Sequence, residues 1–187
     1  MSLVAQKREL RRFMDARREA AWRENPDAPL ALRDQFLNAI ELLPGQVVAG
    51  YSARGHEMDP APLLAALQAK GHVIALPAMI DIKAPLAFRM CRPGDSLIEN
   101  AFGIKEPALA APLTVPDVIL VPLTAFDRTL ARLGRGGGYY DRTLEDLRRQ
   151  KTVLAIGIAF ACQEYPAVPQ EPHDGVLNKI VTEKRVF

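Results

Sequence analysis

Val118-Ile119-Leu120-Val121, then Arg132-Leu133-Gly134-Arg135-Gly136-Gly137-Gly138-Tyr139-Tyr140-Asp141-Arg142, then a helical pattern over 143–150, is the stretch that decides the fold. An apolar run of strand type leads into a glycine-rich loop, and the loop leads into a helix. Glycines at such a junction let backbone N–H groups approach an anion that a Cβ would hold away. Arginines add fixed charge and bidentate donors suited to phosphate. An aspartate beside them suits a hard cation such as Mg2+, or a general base. The element reads as a phosphate site, of the kind a nucleotide occupies, with an aromatic surface beside it. The competing reading is a mobile surface loop, since short glycine patterns match by chance. It is neither a Walker A loop, lacking Gly-Lys-Ser/Thr, nor the dinucleotide fingerprint, because Tyr139 stands at the third glycine position.

Outward from this unit, helical and strand-like segments alternate. The pattern predicts a charged helix over 3–24 with Leu10, Phe13 and Met14 as its buried face. A second helix is expected over 28–43, ended by Pro44-Gly45. A short strand over 46–51 follows. Asp59-Pro60 starts a helix that runs to Lys70 and stops at Gly71. Strands are expected at 73–76, closed by Pro77, and at 87–91. Residues 92–116 read as loop, with Pro93-Gly94, Gly103, Pro107, Pro112 and Pro116. After the glycine loop and a helix over 139–150, the continuous apolar run 152–159 reads as a strand buried on both faces. A last strand falls at 179–182. Alternating strands and helices imply right-handed crossovers and a mainly parallel sheet covered on both sides. Ligands then sit outside the carboxyl ends of the strands. Tyr51-Ser52 with Glu57, the glycine loop, and the loop after Ala159 leading to His173-Asp174 all fall there.

The chain's 187 residues suit one domain spanning 1–187. A net charge of +2 is too small to argue for nucleic acid. No apolar run approaches the roughly 20 residues of a membrane span. The Arg-rich N-terminus carries Glu9, Asp15, Glu19 and Glu24, unlike a transit peptide. Cys91 and Cys162 form no metal or redox motif and read as small buried apolar groups, which suits a reducing, cytoplasmic setting. No sequence feature points to an obligate protein partner.

Asp141 and Asp174 could share one Mg2+, which is usually held by one or two carboxylates plus phosphate oxygens and waters. Their competing readings are a first-turn helix acid and a turn residue before Gly175. Lys7 and Arg11, four residues apart, read from spacing alone as a solvated basic face. Glu57 could accept hydrogen bonds from a polar heterocycle, or be a loop acid in water. His56 and His72 read as surface groups. His173 either orients Asp174 or is exposed. No nucleophile motif for hydrolysis is present.

With these pieces assembled, the chain resembles the 5-formyltetrahydrofolate cyclo-ligase family, also called 5,10-methenyltetrahydrofolate synthetases. The resemblance rests on Val121-Pro122-Leu123, Ala125-Phe126-Asp127 and residues 132–142. It is supported by Lys7…Leu10-Arg11, Phe102-Gly103-Ile104…Glu106-Pro107, His173-Asp174 and Ile180-Val181-Thr182-Glu183. It implies a three-layer α/β/α fold of the NagB/RpiA/CoA-transferase-like kind. It also implies ATP- and Mg2+-dependent cyclisation of a small molecule, 5-formyltetrahydrofolate, through a phosphorylated formyl group. By resemblance, Lys7, Arg11 and residues 132–140 contact ATP, and Arg135 to Tyr139 also line the folate. Asp141 and Asp174 match the family's Mg2+ positions; on the mechanism this implies, Arg135 and Mg2+ bound by Asp141 are expected to stabilise the transferring phosphoryl group. Glu57 holds the pterin with Ser52 nearby, and Phe102 stacks on the folate. The chain departs from the family at three places. The link Arg128-Thr129-Leu130-Ala131 lacks a glycine that members often have. Gly137 stands where some carry lysine. Asn178 stands where a second aspartate often follows the His-Asp pair. The alternatives are a same-fold ATP-dependent protein with another substrate, and a nucleic-acid-binding module using the basic first helix.

Overall fold

The computed structural model describes residues 2–100, 103–171 and 174–187. Helices α1 (Leu3–Glu24) and α2 (Ala28–Ala39) precede strand β1 (Val47–Ala49), and α3 (Ala61–Ala69) leads to β2 (Val73–Ala78) and β3 (Ala87–Met90). Short strands β4 (Leu97–Glu99), β5 (Lys105–Pro107) and β6 (Leu113–Thr114) come before β7 (Val118–Pro122), β8 (Ala125–Phe126) and β9 (Arg132–Leu133). Helix α4 (Tyr139–Gln150), β10 (Leu154–Ile158), a 3-10 turn (Ala161–Gln163) and β11 (Lys179–Val181) complete the order.

The main sheet runs β11-β10-β7-β1-β2-β3-β6. It is parallel from β11 through β2, while β3 runs antiparallel to β2 and β6 antiparallel to β3. The strand alternation divides its core. Val48, Val118, Leu120 and Ile156 face α2 and α3, meeting Leu32, Phe36, Leu63 and Leu67. Ala49, Ile119, Val121 and Ala155 face α4, meeting Leu144 and Leu147. Helices therefore cover both faces, and each large aliphatic group removed from water contributes about 1.5–3 kcal/mol. This explains the unbroken apolar run of β7, whose first four residues are buried.

Helix α1 touches the α2–α3 side of the core through Ala21 near its end, but its buried stripe faces elsewhere. Its buried residues are Lys7, Leu10, Met14 and Arg18, spaced as one helical stripe. Leu10 and Met14 pack on Ala125, Ala131 and Leu133 of the β8–β9 hairpin and on Val168. Phe13 was expected on this face but is 51% exposed, because it falls off the stripe; its ring meets Tyr165 edge-on.

Other expectations also need correction. Helix α2 stops at Ala39, before the Pro44-Gly45 signal, because Ile40 turns to extended backbone while its N–H still reaches Phe36 O. Strand β2 runs through Pro77 to Ala78, since Pro77 sits toward its end, paired with Phe88. The loop 92–116 contains β4, β5 and β6. The β8–β9 hairpin was unanticipated, its strands being only two residues each. His72 is buried rather than at the surface. Cys91 and Cys162 are free thiols and only half-buried.

Candidate active site

A cavity of about 490 Å³ opens at the carboxyl ends of β1, β2 and β7. The end of β1 supplies Tyr51 and Ser52, that of β2 Pro77 and Met79, and that of β7 Pro122 and Leu123. This is where an open parallel sheet places ligands. The glycine loop forms one wall, the start of α1 another, and the β4–β5 hairpin contributes Ile104 and Glu106.

Lys7 enters from α1 with 8% of its surface exposed. Its Nζ donates to Glu171 Oε2 and Asp174 Oδ2, both at 2.7 Å. Burial works against the ammonium, but Asp174 and Glu171 outweigh it and raise its pKa above the ordinary 10.5. Arg11, one turn along, donates from Nε to Gly134 O at 2.8 Å. The solvated-face reading of this pair is therefore wrong: each cation has its own partner, so the two do not compete. Turning Lys7 inward also removes it from the exposed basic face that a nucleic-acid module would use.

The loop's backbone explains its glycines. Gly136 has φ +102° and Gly138 φ +66°, where a side chain is strained. A Cβ on Gly136 would meet the Arg11 guanidinium at 3.4 Å. Gly138 then caps α4 in left-handed backbone. The Tyr139 ring lies beneath the Arg142 guanidinium, 5.0 Å from ring centroid to Cζ, and its hydroxyl is 3.5 Å from Met79 Sδ. Thr143 Oγ1 donates to Tyr139 O at 2.6 Å and accepts from Leu86 N at 2.9 Å, tying the helix start to the loop before β3. Burial, and then Glu57, push the Tyr140 hydroxyl well above its ordinary range, so it is neutral at physiological pH.

Arg132 is buried, and its Nη2 lies 2.5 Å from Asp141 Oδ1. That oxygen also accepts from Gly175 N at 3.2 Å, which brings Asp141 beside the segment carrying Asp174. Asp141 and Asp174 are the carboxylates that could hold Mg2+ here, through the oxygens not bonded to Arg132 and Lys7, since that ion usually takes one or two carboxylates with phosphate oxygens and water. No group of three or more side chains that could ligate a metal occurs among the described residues. Asn178 supplies no such ligand: its Oδ1 accepts from Ala155 N at 2.8 Å, bracing β11 on β10.

Glu57 is 8% exposed and bonds across the cavity. Its Oε1 accepts from Arg135 Nε at 2.7 Å and its Oε2 from Arg54 N at 2.8 Å. Arg135, 47% exposed on its side chain, also donates to Arg54 O at 2.9 Å. Ser52 Oγ donates to Lys105 O at 2.9 Å, pinning the β4–β5 hairpin to the end of β1. Phe102 and His173 lie outside the described residues. Every other anticipated site residue lines this one cavity. The cavity is also lined by Glu171, Arg54 and Met79, which the sequence did not single out, and by Glu106, which it offered only as part of a motif and without a site role. Glu171 had a signal in its place three residues before Asp174, while Met79 had none.

A family model for the 5-formyltetrahydrofolate cyclo-ligase family matches residues 4–183. The chain belongs to that family. Membership makes this cyclo-ligase an enzyme of ligase type. It is 37% identical over 145 residues to the 5-formyltetrahydrofolate cyclo-ligase of Escherichia coli, covering 75% of this chain and 79% of that one. It is 33% identical over 182 residues to the 5-formyltetrahydrofolate cyclo-ligase of Mycolicibacterium smegmatis, covering 90% and 92%. The solved 5,10-methenyltetrahydrofolate synthetase of Aquifex aeolicus superposes with a TM-score of 0.80 at 29% identity, covering 96% of this chain and 91% of that one. The α/β architecture of this cyclo-ligase is therefore shared with a solved relative. No helix among the described residues is long and apolar enough to cross a membrane.

Proposed function

We propose that this cyclo-ligase converts 5-formyltetrahydrofolate and ATP to 5,10-methenyltetrahydrofolate, ADP and phosphate, with Mg2+ held by Asp141 and Asp174. The observation that carries the reading is a single cavity in which a glycine–arginine loop, a buried lysine, paired carboxylates and an apolar wall converge. A poor leaving group must become a good one. The formyl oxygen attacks the γ-phosphorus and ADP leaves. N10 of the same molecule then attacks the formyl carbon, the carbon–oxygen bond breaks, phosphate departs, and N10 loses its proton.

The protein's share is placement and charge, which dominate phosphoryl transfer. Loop N–H groups, Lys7, Arg11 and Arg132 hold the polyphosphate. Bound Mg2+ would neutralise developing charge on the phosphate oxygens. Glu57 accepts from N–H groups of the pterin, which releases Arg135 toward the transferring phosphoryl group. Ser52 and Tyr139 flank the folate. Phe102 completes that wall by family resemblance. A walled cavity also keeps water from the phosphorylated intermediate.

Purified protein given ATP, Mg2+ and 5-formyltetrahydrofolate should produce the near-ultraviolet absorbance of the methenyl product. Asp141→Asn should lower kcat by about 10²-fold or more, the scale of losing one charge-stabilising group. Absence of product from the wild type would overturn the reading, and near-normal Mg2+-dependent turnover by the variant would overturn the role of Asp141.

A further inference from the structure

Five carboxylates line the cavity: Glu57, Glu106, Asp141, Glu171 and Asp174. Four of them meet a cation, Glu57 at Arg135, Asp141 at Arg132, and Glu171 and Asp174 at Lys7. Glu106 differs, because neutral donors hold it. Its Oε1 accepts from Met79 N at 3.1 Å and from Asn100 Nδ2 at 2.6 Å. Both bonds fall on the same oxygen, so the carboxylate is fixed in orientation while Oε2 takes no hydrogen bond from the described residues. The residue is half-buried on β5, against the end of β2.

Oε2 is not a buried orphan but faces a cavity that the residue lines, so it is held in place with an acceptor free for a donor of the ligand. With no cation among the described residues paired to it, Glu106 also repels anions. Phosphate and glutamyl carboxylates therefore belong elsewhere in the cavity, toward the arginines and Lys7. What suits Glu106 is an uncharged N–H edge. Met79, which follows β2 and donates to Glu106, has its sulfur 3.5 Å from the Tyr139 hydroxyl, so the acceptor sits beside an apolar and aromatic surface fit for a flat ring.

We infer that Glu106 is a substrate-binding residue that accepts N–H donors of the ligand's reduced pterin ring from the β4–β5 hairpin, forming with Glu57 a pair of acceptors that selects the ring. This rests on the folate reading above. Two acids read a donor-rich heterocycle where one would leave a donor unpaired, and a donor edge facing an unmatched group is what rejects analogues.

Glu106→Gln tests it. The amide oxygen keeps the bonds to Met79 N and Asn100 Nδ2, and the amide NH2 replaces the open acceptor with a donor. Calorimetric binding of 5-formyltetrahydrofolate should weaken about 10- to 100-fold, the range for a hydrogen bond to a charged group. The KM for ATP and the melting temperature should stay near wild type. Glu106→Asp keeps the charge on a shorter arm and should recover part of the affinity. Binding within about twofold of wild type in the Gln variant overturns the role. So does an equal loss of ATP and folate affinity with a lowered melting temperature, which marks a structural residue. Wild-type protein that fails to bind 5-formyltetrahydrofolate overturns the folate reading as well, so the two failures are distinguishable.

Discussion

Leu130 carries a backbone conformation its side chain does not favour. It has φ 65° and is the one non-glycine in left-handed backbone among the described residues. It lies in the link where family members often have glycine, in the turn between β8 and β9. The turn is closed by Leu130 N donating to Asp127 O at 3.0 Å and Asp127 N donating to Ala131 O at 3.1 Å. Left-handed backbone costs an L-residue roughly 1–2 kcal/mol. Here the partly buried side chain packs on the α4-side core and offsets that cost. Truncation separates the two terms. Leu130→Gly and Leu130→Ala both lose the packing, but only glycine relieves the backbone. In urea titrations the glycine variant should be more stable than the alanine variant by about 1 kcal/mol, the reverse of the order in a helix or strand. Equal stabilities would show that the turn carries no strain. Gly137 poses the opposite case: its φ is ordinary, but a Cβ there would come within 2.9 Å of the Tyr139 ring, so glycine lets the aromatic lie close over the backbone.

At the scale of elements, the β8–β9 hairpin joins α1 to the sheet, and Asp127 organises it. One carboxylate oxygen accepts from Thr129 N at 2.8 Å and Thr129 Oγ1 at 2.6 Å. The other accepts from Val168 N at 2.8 Å, tying the hairpin to the chain that leads toward Asp174. Burial raises the pKa of this carboxyl, but the bonds from Thr129, Val168 and Ala131 outweigh it and leave it below the ordinary 3.8. The ionised form is thus favoured in the folded state. Its contribution to stability is fully present above 3.8 and is lost as pH falls through the lower folded value. Asp127→Asn should therefore be less stable than wild type at pH 7 by about 1–3 kcal/mol, the scale of hydrogen bonds to a charged acceptor. The gap should narrow as thermal melts are taken below about pH 4. A gap that stays constant with pH would show that the carboxylate charge is irrelevant to the hairpin.

At the scale of the whole molecule, Lys7 fastens the first helix to Glu171 and Asp174, which lie near the other end of the chain. Folding brings these groups together, so this end of the cavity is complete only in the finished fold. Lys7→Met should raise the KM for ATP at least tenfold and lower stability by about 1–2 kcal/mol, a figure held down because Glu171 is partly exposed. Since the Lys7 pKa is raised, its stabilisation is present at and below 10.5 and disappears as pH rises through the higher folded value. The wild-type advantage over Lys7→Met in denaturant should therefore be flat from pH 7 to pH 9 and shrink only above 10.5. An advantage lost near neutrality would mean that the ammonium is not what fastens the ends.

The parallel sheet, its crossover helices and the glycine loop were readable from the chain because each rests on local chemistry. β7 is apolar throughout as it is covered on both faces, and Gly136 and Gly138 sit in backbone that favours glycine. The two-residue strands of the β8–β9 hairpin were unreadable because so short a ladder leaves no period in the sequence. Phe13 misled because helical spacing permits several stripes, and only the hairpin it would face selects Leu10 and Met14.

By itself, the sequence determined the main helices, the apolar strands of the parallel part of the sheet, where the glycine loop lies, and to which family the chain belongs. Those depend on periodicity, backbone preference and motif. Only the tertiary structure decided that Lys7 turns inward to Asp174, that Glu57 meets Arg135 across the cavity, and that Glu106 keeps one oxygen open. These are pairings between residues far apart in the chain. Their partners are set by the distances the folded sheet imposes, and no local pattern encodes them.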